Sequence, residues 1–451
     1  MTVDASPSRL RAVPATGEGY PSPLVAWSAV AVLFILGAVA FLDRQIISLM
    51  VDDIRRDLAI SDFQISLLQG FAFALCYAVM GIPLGWLVDR FPRRQIICAG
   101  VIAWAIAAAA CGLARNFWHL LLARFGVGLG EAALAPSAYS MLSDLFPRER
   151  LTTAMSVFAI GSIVGQAFAF AIGGLVIGMA LTAGGGLSLP LVGEVRPWQF
   201  VFIVTGLPGV AFALLVFLFP EPVRRGLRGT GKAGFGEAFR FMAERRRFFA
   251  CHFLGYGAVA AIAYGTIAWV PAHLMRGFGW SVTQTGFTMA GLTALAGSSG
   301  LLGMGLFVDR QMARGVRDAH FRFAVWLSLT IALCGAIGFS SSNIVLFFLF
   351  YTILKLLAPI GGMASASIQI VTPNELRGTV SAIYLFVVTL LGAGTGPTVV
   401  ATCTELIFHD PAKVGLAMAL TCVVLGLFAA ACFALGRRQM REAVEMAETW
   451  A

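Results

Sequence analysis

Charged side chains are what this sequence has least of. Asp, Glu, Lys and Arg together make up 12% of its 451 residues, while 59% are hydrophobic and mean hydropathy is +0.84. A soluble domain carries about 25% charged residues. A water-facing surface of ordinary size is therefore excluded, and lipid must be the solvent for most of the chain. Paired cysteines are missing too. The eight present (Cys76, Cys98, Cys111, Cys251, Cys334, Cys403, Cys422 and Cys432) all fall in apolar runs without CxxC or CxxxC spacing, which leaves them as small packing residues. His119, His252, His273, His320 and His409 lie on separate segments without metal-ligand spacing, and HExxH, GxSxG and paired-aspartate signatures are absent from the apolar runs. No metal site and no catalytic site is expected, so the chain does not read as an enzyme. Gly226 to Lys232 fits GxxxxGK, but Ala233 stands where a hydroxyl must bind Mg²⁺ and no strand precedes it, which argues against nucleotide binding.

What is abundant is apolar sequence of membrane-crossing length. A helix needs roughly 20 mostly apolar residues to cross the bilayer core. Twelve stretches meet that: Leu24–Met50, Phe63–Val88, Gln95–Leu113, Phe117–Leu145, Thr152–Leu181, Trp198–Phe219, Phe248–His273, Thr283–Val308, Phe321–Phe339, Asn343–Val371, Gly378–Phe408 and Lys413–Leu435. The expected class is an all-α membrane protein, and residues 1–23 read as a polar tail without a cleavable signal. Lys and Arg outside the spans or at their ends divide 23 to 6 between alternate connections. Basic residues accumulate in cytoplasmic loops, so both termini and the central connection are expected in the cytoplasm, in a multi-pass bacterial inner-membrane protein. The formal charge of +9 is then mostly topogenic and calls for no nucleic acid.

The chain also repeats itself. Gly85-Trp-Leu-Val-Asp89-Arg90 closes the second span, and Gly305-Leu-Phe-Val-Asp309-Arg310 closes the eighth; Ser61 and Gln64 recur at the same offset as Ser281 and Gln284. Two related halves follow, giving a tail (1–23), a six-helix bundle (24–220), a linker (221–247), a second six-helix bundle (248–436) and a C-terminal tail (437–451). In the linker Phe235, Phe239 and Met242 share a helical face beside arginines, the pattern of an interfacial amphipathic helix.

Gly85, Leu87, Asp89, Arg90, Arg93 and Arg94 after the second helix, with two six-helix halves, resemble the major facilitator superfamily; Pro92 departs from its usual glycine. Phe41-Leu-Asp43-Arg44 and Arg124-Phe-Gly-Val-Gly-Leu-Gly-Glu131-Ala further resemble the spinster family of lipid transporters. That likeness implies a secondary transporter working by alternating access, with a small amphiphilic substrate, protons as coupling ion, the bilayer as surroundings and no cofactor. A small organic acid or a drug-like cation exchanged for protons remains the alternative cargo. A monomer is expected.

Ionised groups at mid-bilayer are expensive and face the bundle interior. Arg124 and Glu131 are two turns apart on one face of helix 4, both open to a partner on helix 1, where Asp43 and Arg44 stand. A carboxylate that gains and loses a proton there would couple transport to a gradient. Asp43 is the first choice as carrier and Glu131 the second, with Arg44 and Arg124 as charge partners; a purely structural ion-pair set is the competing reading. Gly85, Asp89, Arg90, Arg93, Asp309 and Arg310 are assigned to a cytoplasmic gate, with Asp89 meeting the helix N-terminus near Gly378 as the superfamily pattern implies. Lys355, in the tenth span, either takes an anionic headgroup, or snorkels or pairs with a carboxylate. Tyr77, Phe158, Trp269, Tyr351 and Tyr384 are further candidates for an apolar, aromatic substrate cavity. Glu405 reads as interfacial.

Overall fold

The computed structural model describes residues 20–182, 187–189, 193–224, 235–358, 360–373 and 375–448. Eleven helices among them are long and apolar enough to cross a membrane: α1 Pro23–Leu49, α2 Asp62–Val88, α3 Arg93–Cys111, α4 Phe117–Leu145, α5 Thr153–Met179, α6 Pro197–Leu218, α7 Arg246–Phe278, α9 Ala319–Ser340, α10 Ile344–Val371, α11 Arg377–Ile407 and α12 Pro411–Glu448. The remaining span, α8, is helical over Val282–Leu292 and Ser298–Ala313 with a wider π-turn between. All twelve expected spans are therefore helical, and apart from the C-terminal end of α12 they lie within a few residues of their expected ends.

The sequence repeat has a local physical cause. Ser61 and Ser281 are N-caps, each accepting a hydrogen bond from the backbone N–H of the glutamine three residues on (3.2 and 3.1 Å). Both satisfy donors that a helix start leaves open. Asn116 does the same for α4 through the His119 N–H at 2.9 Å. A short antiparallel hairpin, β1 Leu187–Leu189 with β2 Gly193–Val195, joins α5 to α6. His252 of the second half is fully buried, its Nε2 shared between Ser367 Oγ at 2.8 Å and the Ala364 carbonyl at 3.1 Å, while its Nδ1 has no hydrogen-bond partner among the described residues.

One boundary differs from expectation. α12 does not stop near Leu435 but continues to Glu448, so the described part of the expected C-terminal tail is helix. Ion pairs hold it: Asp318 receives Arg437 Nε at 2.8 Å, and Arg317 meets Glu445 at 3.2 Å and Glu448 at 2.9 Å. Those pairings join segments more than a hundred residues apart, invisible in a window of local sequence.

The two halves meet mainly at the end remote from the termini. A Cβ on Gly174 of α5 would lie 3.1 Å from the Gly286 Cα of α8, and one on Gly70 of α2 would strike the Ala393 carbonyl of α11 at 2.2 Å. These glycines let backbones touch where a side chain would separate them. Gln45 and Gln69 add bonds to the Ile267 and Ala268 carbonyls of α7. At the opposite end of α2, Ile82 and Trp86 are exposed and a Cβ on Gly81 or Gly85 would meet nothing within 4 Å. The bundle is closed at the remote end and open at the end bearing the termini.

Candidate functional site

Near the middle of the N-terminal half α1 tightens from α-helix to 3₁₀ over Ile46–Leu49, and α2 widens to a π-turn over Leu67–Phe71. Such changes of pitch displace carbonyls from the regular ladder. Buried Arg124 collects three of them: Nε donates to Leu68 O at 3.0 Å, and the two terminal nitrogens to Asp43 O at 3.2 Å and Arg44 O at 3.4 Å. Five fixed donors suit this task better than any other side chain. Arg124 thus holds the main chain of α1 and α2, not a carboxylate.

Glu131, two turns along α4, takes the side chain of Arg44 at 2.5 Å. The guanidinium also packs on the faces of Phe73 (4.0 Å), Phe41 (4.5 Å) and Tyr77 (5.4 Å), a cation–π setting that suits a cation away from bulk water. Asp43 is 2% exposed, beside Trp104, and neither of its carboxylate oxygens makes a hydrogen bond of ordinary geometry. The expected α1–α4 cluster therefore forms, with one difference: Arg44 pairs with Glu131 while Asp43 keeps no ion-pair contact.

This cluster forms one wall of a cavity of about 270 Å³ between the halves, lined by Arg44, Glu131, Phe73, Tyr77, Tyr139 and Phe158 from the first half and Tyr264 and Thr389 from the second. Of the aromatic candidates, Tyr77 and Phe158 are in this lining. Tyr351 and Lys355 line a separate hollow among α7, α9 and α10. Trp269 and Tyr384 line neither. Trp269 is fully buried with its Nε1 donating to Pro397 O at 2.9 Å, tying α7 to α11, and Tyr384 packs on His252 and Phe253. An aromatic residue in an apolar helix carries no sign of which face it occupies.

The expected gate residues divide. Gly85 sits at the open end, Arg90 lays its guanidinium 3.9 Å over the Trp86 ring, and Arg310 is exposed. The side chains of Asp89 and Asp309 lie outside the described residues, and with them the expected contact near Gly378. Arg93 departs from a gate role between halves: it is buried, paired with Asp144 and with Glu221 (2.8 Å), and bonded to Ser140 Oγ (3.1 Å) and Pro222 O (2.6 Å). All of these are within the first half or just beyond it, so Arg93 clamps α3, α4 and the end of α6 together.

A seal at the closed end was not legible in the sequence. Arg276 at the end of α7 bonds both Asp52 (2.8 and 2.6 Å) and Asp62 (2.8 and 2.9 Å), and also Pro411 O. Glu405 of α11, read from the sequence as interfacial, accepts the Phe63 N–H at 3.0 Å, capping the start of α2 from the other half. Arg276 counted as one of six minority basic residues, and its partners lie 214 and 224 positions away; only the alternation of sign was available as a signal.

Comparison with known proteins agrees with this architecture. The chain is 28% identical over 441 residues to a protein called an MFS-type efflux pump from Mycolicibacterium smegmatis, covering 94% of this chain and 96% of that one. It is 26% identical over 406 residues to human protein spinster homolog 1, covering 83% and 72% of the two chains. A bacterial homolog of the human lysosomal transporter Spinster, solved inward-facing and unoccupied, superposes with TM-score 0.78 at 26% identity over 94% of this chain and 99% of that one. The family model described as Major Facilitator Superfamily matches residues 33–397, and with two six-helix halves around a shared cavity the chain belongs to that superfamily of transporters.

Proposed function

We propose that the chain is a proton-coupled secondary transporter that moves a lipid-like amphiphile across a bacterial inner membrane by alternating access, as a monomer and without a cofactor. The observation that carries this reading is the α1–α4 cluster: an acid, Asp43, buried without a hydrogen bond of ordinary geometry among the described residues, one residue from an arginine held by a second acid. On losing its proton Asp43 competes with Glu131 for Arg44, or draws Arg124 from the carbonyls of α1 and α2. Either exchange alters how α1 and α2 sit against α4, and so links proton occupancy to the access state. The amphiphile lies in the cavity beside Arg44, whose mixed aromatic and polar lining suits one polar and one apolar end. The likeness to spinster homologs and to a lysosomal transporter's bacterial homolog supports the carrier reading; the efflux pump among the relatives supports the second reading, a drug–proton antiporter. With the basic-residue asymmetry of 23 to 6, both termini are cytoplasmic, so the state seen opens inward.

The test is Asp43→Asn in proteoliposomes under an imposed pH difference. Asparagine mimics the protonated acid, so gradient-driven accumulation is abolished while binding and the fold survive. Glu131→Gln, as control, weakens transport through the arginine it holds. Accumulation at the unaltered level in Asp43→Asn would make Asp43 structural and place coupling elsewhere.

A further inference from the structure

The second hollow, in the C-terminal half, has a polar content that the cluster on α1 and α4 does not use. It lies among α7, α9 and α10 and has room for one water-sized group, about 20 Å³. Most of its lining is apolar: Val259, Ile262, Ile331 and Leu354 among others. Into this lining α10 sends two polar groups one turn apart. Lys355 is 5% exposed and its ammonium has one hydrogen-bond partner among the described residues, the neutral amide oxygen of Gln166 at 3.3 Å. Tyr351 is 2% exposed and its hydroxyl makes no hydrogen bond. Thr266 across the hollow has already given its hydroxyl hydrogen to the carbonyls of its own helix, at 2.8 and 3.0 Å.

That set is rich in donors and poor in acceptors. A buried ammonium without a carboxylate is an expensive arrangement, costing several kcal/mol unless something negative joins it, and a buried hydroxyl without a partner adds to the imbalance. An oxyanion supplies the acceptors that both lack. Gln166 occupies α5 of the other half, one turn beyond Ser162, which lines the central cavity. The ammonium is therefore met from the side that faces the cavity.

We propose that Lys355 and Tyr351 form a slot for a single oxyanion, a carboxylate or a phosphate ester, on a cargo whose remainder is apolar. The proposal rests on the carrier reading above and adds to it the charge of the cargo and the place where that charge sits. On binding, the anion replaces Gln166 at Lys355, and this polar link between α5 and α10 gives way to a link between cargo and α10. Lys355 and Tyr351 are then specificity-determining residues in the half that does not carry the acidic cluster.

The experiment is equilibrium competition against radiolabelled dodecanoate on the purified full chain, without any pH gradient, using dodecyl phosphate, dodecanol and dodecyltrimethylammonium as competitors. Dodecanoate or dodecyl phosphate, or both, bind about 10- to 100-fold tighter than dodecanol, the worth of a charge-assisted hydrogen bond, and the trimethylammonium compound binds no better than dodecanol. Which of the two anions leads identifies the headgroup. Lys355→Met erases the preference while dodecanol affinity stays, Lys355→Arg restores part of it, and Tyr351→Phe lowers it about 3- to 10-fold. Should Lys355→Met fail to fold, Tyr351→Phe carries the test by itself. Equal affinity for anion and alcohol in the unaltered protein, or a preference undiminished in Lys355→Met or Tyr351→Phe, overturns the slot. A preference lost in Lys355→Met together with no gradient-driven uptake by the unaltered protein upholds the slot and overturns only proton coupling.

Discussion

An Arg276→Ala substitution removes the guanidinium through which the end of α7 holds two aspartates of the first half. Its side chain is 9% exposed, as against 38% for Asp52 and 0% for Asp62. The Asp52 pair is largely in water and is worth about 0–1 kcal/mol. The Asp62 pair is different, because removing one member of a buried pair leaves an uncompensated charge and costs about 3–5 kcal/mol. Asp62 keeps Arg55 at 3.5 Å and sits in the first turn of α2, where the helix end favours an anion, so the lower end of that range applies. About 3 kcal/mol is then lost from the state closed at this end, a shift of roughly a hundredfold toward opening there. Pulsed electron-electron distances between labels at Arg56 and Lys413, exposed residues at this end in the two halves, should lengthen in the variant. The double variant Arg276→Gln with Asp62→Asn, which replaces the charged pair by neutral amides, should return part of the closed population. An unchanged distance distribution in Arg276→Ala would show that glycine packing at Gly174–Gly286 and Gly70–Ala393 closes this end without the ion pairs.

Two further outcomes follow from side chains at the other end. Arg93→Ala removes the guanidinium that pairs with Asp144 and Glu221 and should lower stability by about 3 kcal/mol, whereas Arg90→Ala loses, among the described residues, stacking on exposed Trp86 and should cost about 1 kcal/mol or less; unfolding titrations of both variants compare them. Burial of Asp318 opposes its charge, but hydrogen bonds and charge from Arg437 and Arg441 outweigh that and hold its carboxyl below the usual range. A depressed folded value means this contribution is present above the ordinary carboxylate range near pH 4 and lost as pH falls through the folded value. Hydrogen exchange over residues 437–448 should therefore accelerate on acidification below about pH 4, and Asp318→Asn should diminish that pH dependence, leaving the part that comes from Arg317 with Glu445 and Glu448.

Linear order determined whatever depends on composition and near neighbours. Lipid as solvent follows from 12% charge, and the spans follow from runs of apolar residues whose length matches the bilayer core. The repeat at Gly85–Arg90 and Gly305–Arg310 disclosed two halves because duplicated caps and turns keep their residues. Asp43, Arg44, Arg124 and Glu131 were legible as a group, since an ionisable residue inside a span has to face the interior and helical spacing puts the α4 pair on one face. How those four are paired was decided by tertiary structure alone. Arg124 turned to carbonyls because α1 and α2 change pitch beside it, and Arg44 was left to Glu131. The same holds for Arg276 with Asp52 and Asp62, for Arg93 as a clamp and for Trp269 as a strut. Each contact joins segments distant in sequence, and a polar or aromatic residue in an apolar run records its need for a partner without recording which helix will supply it.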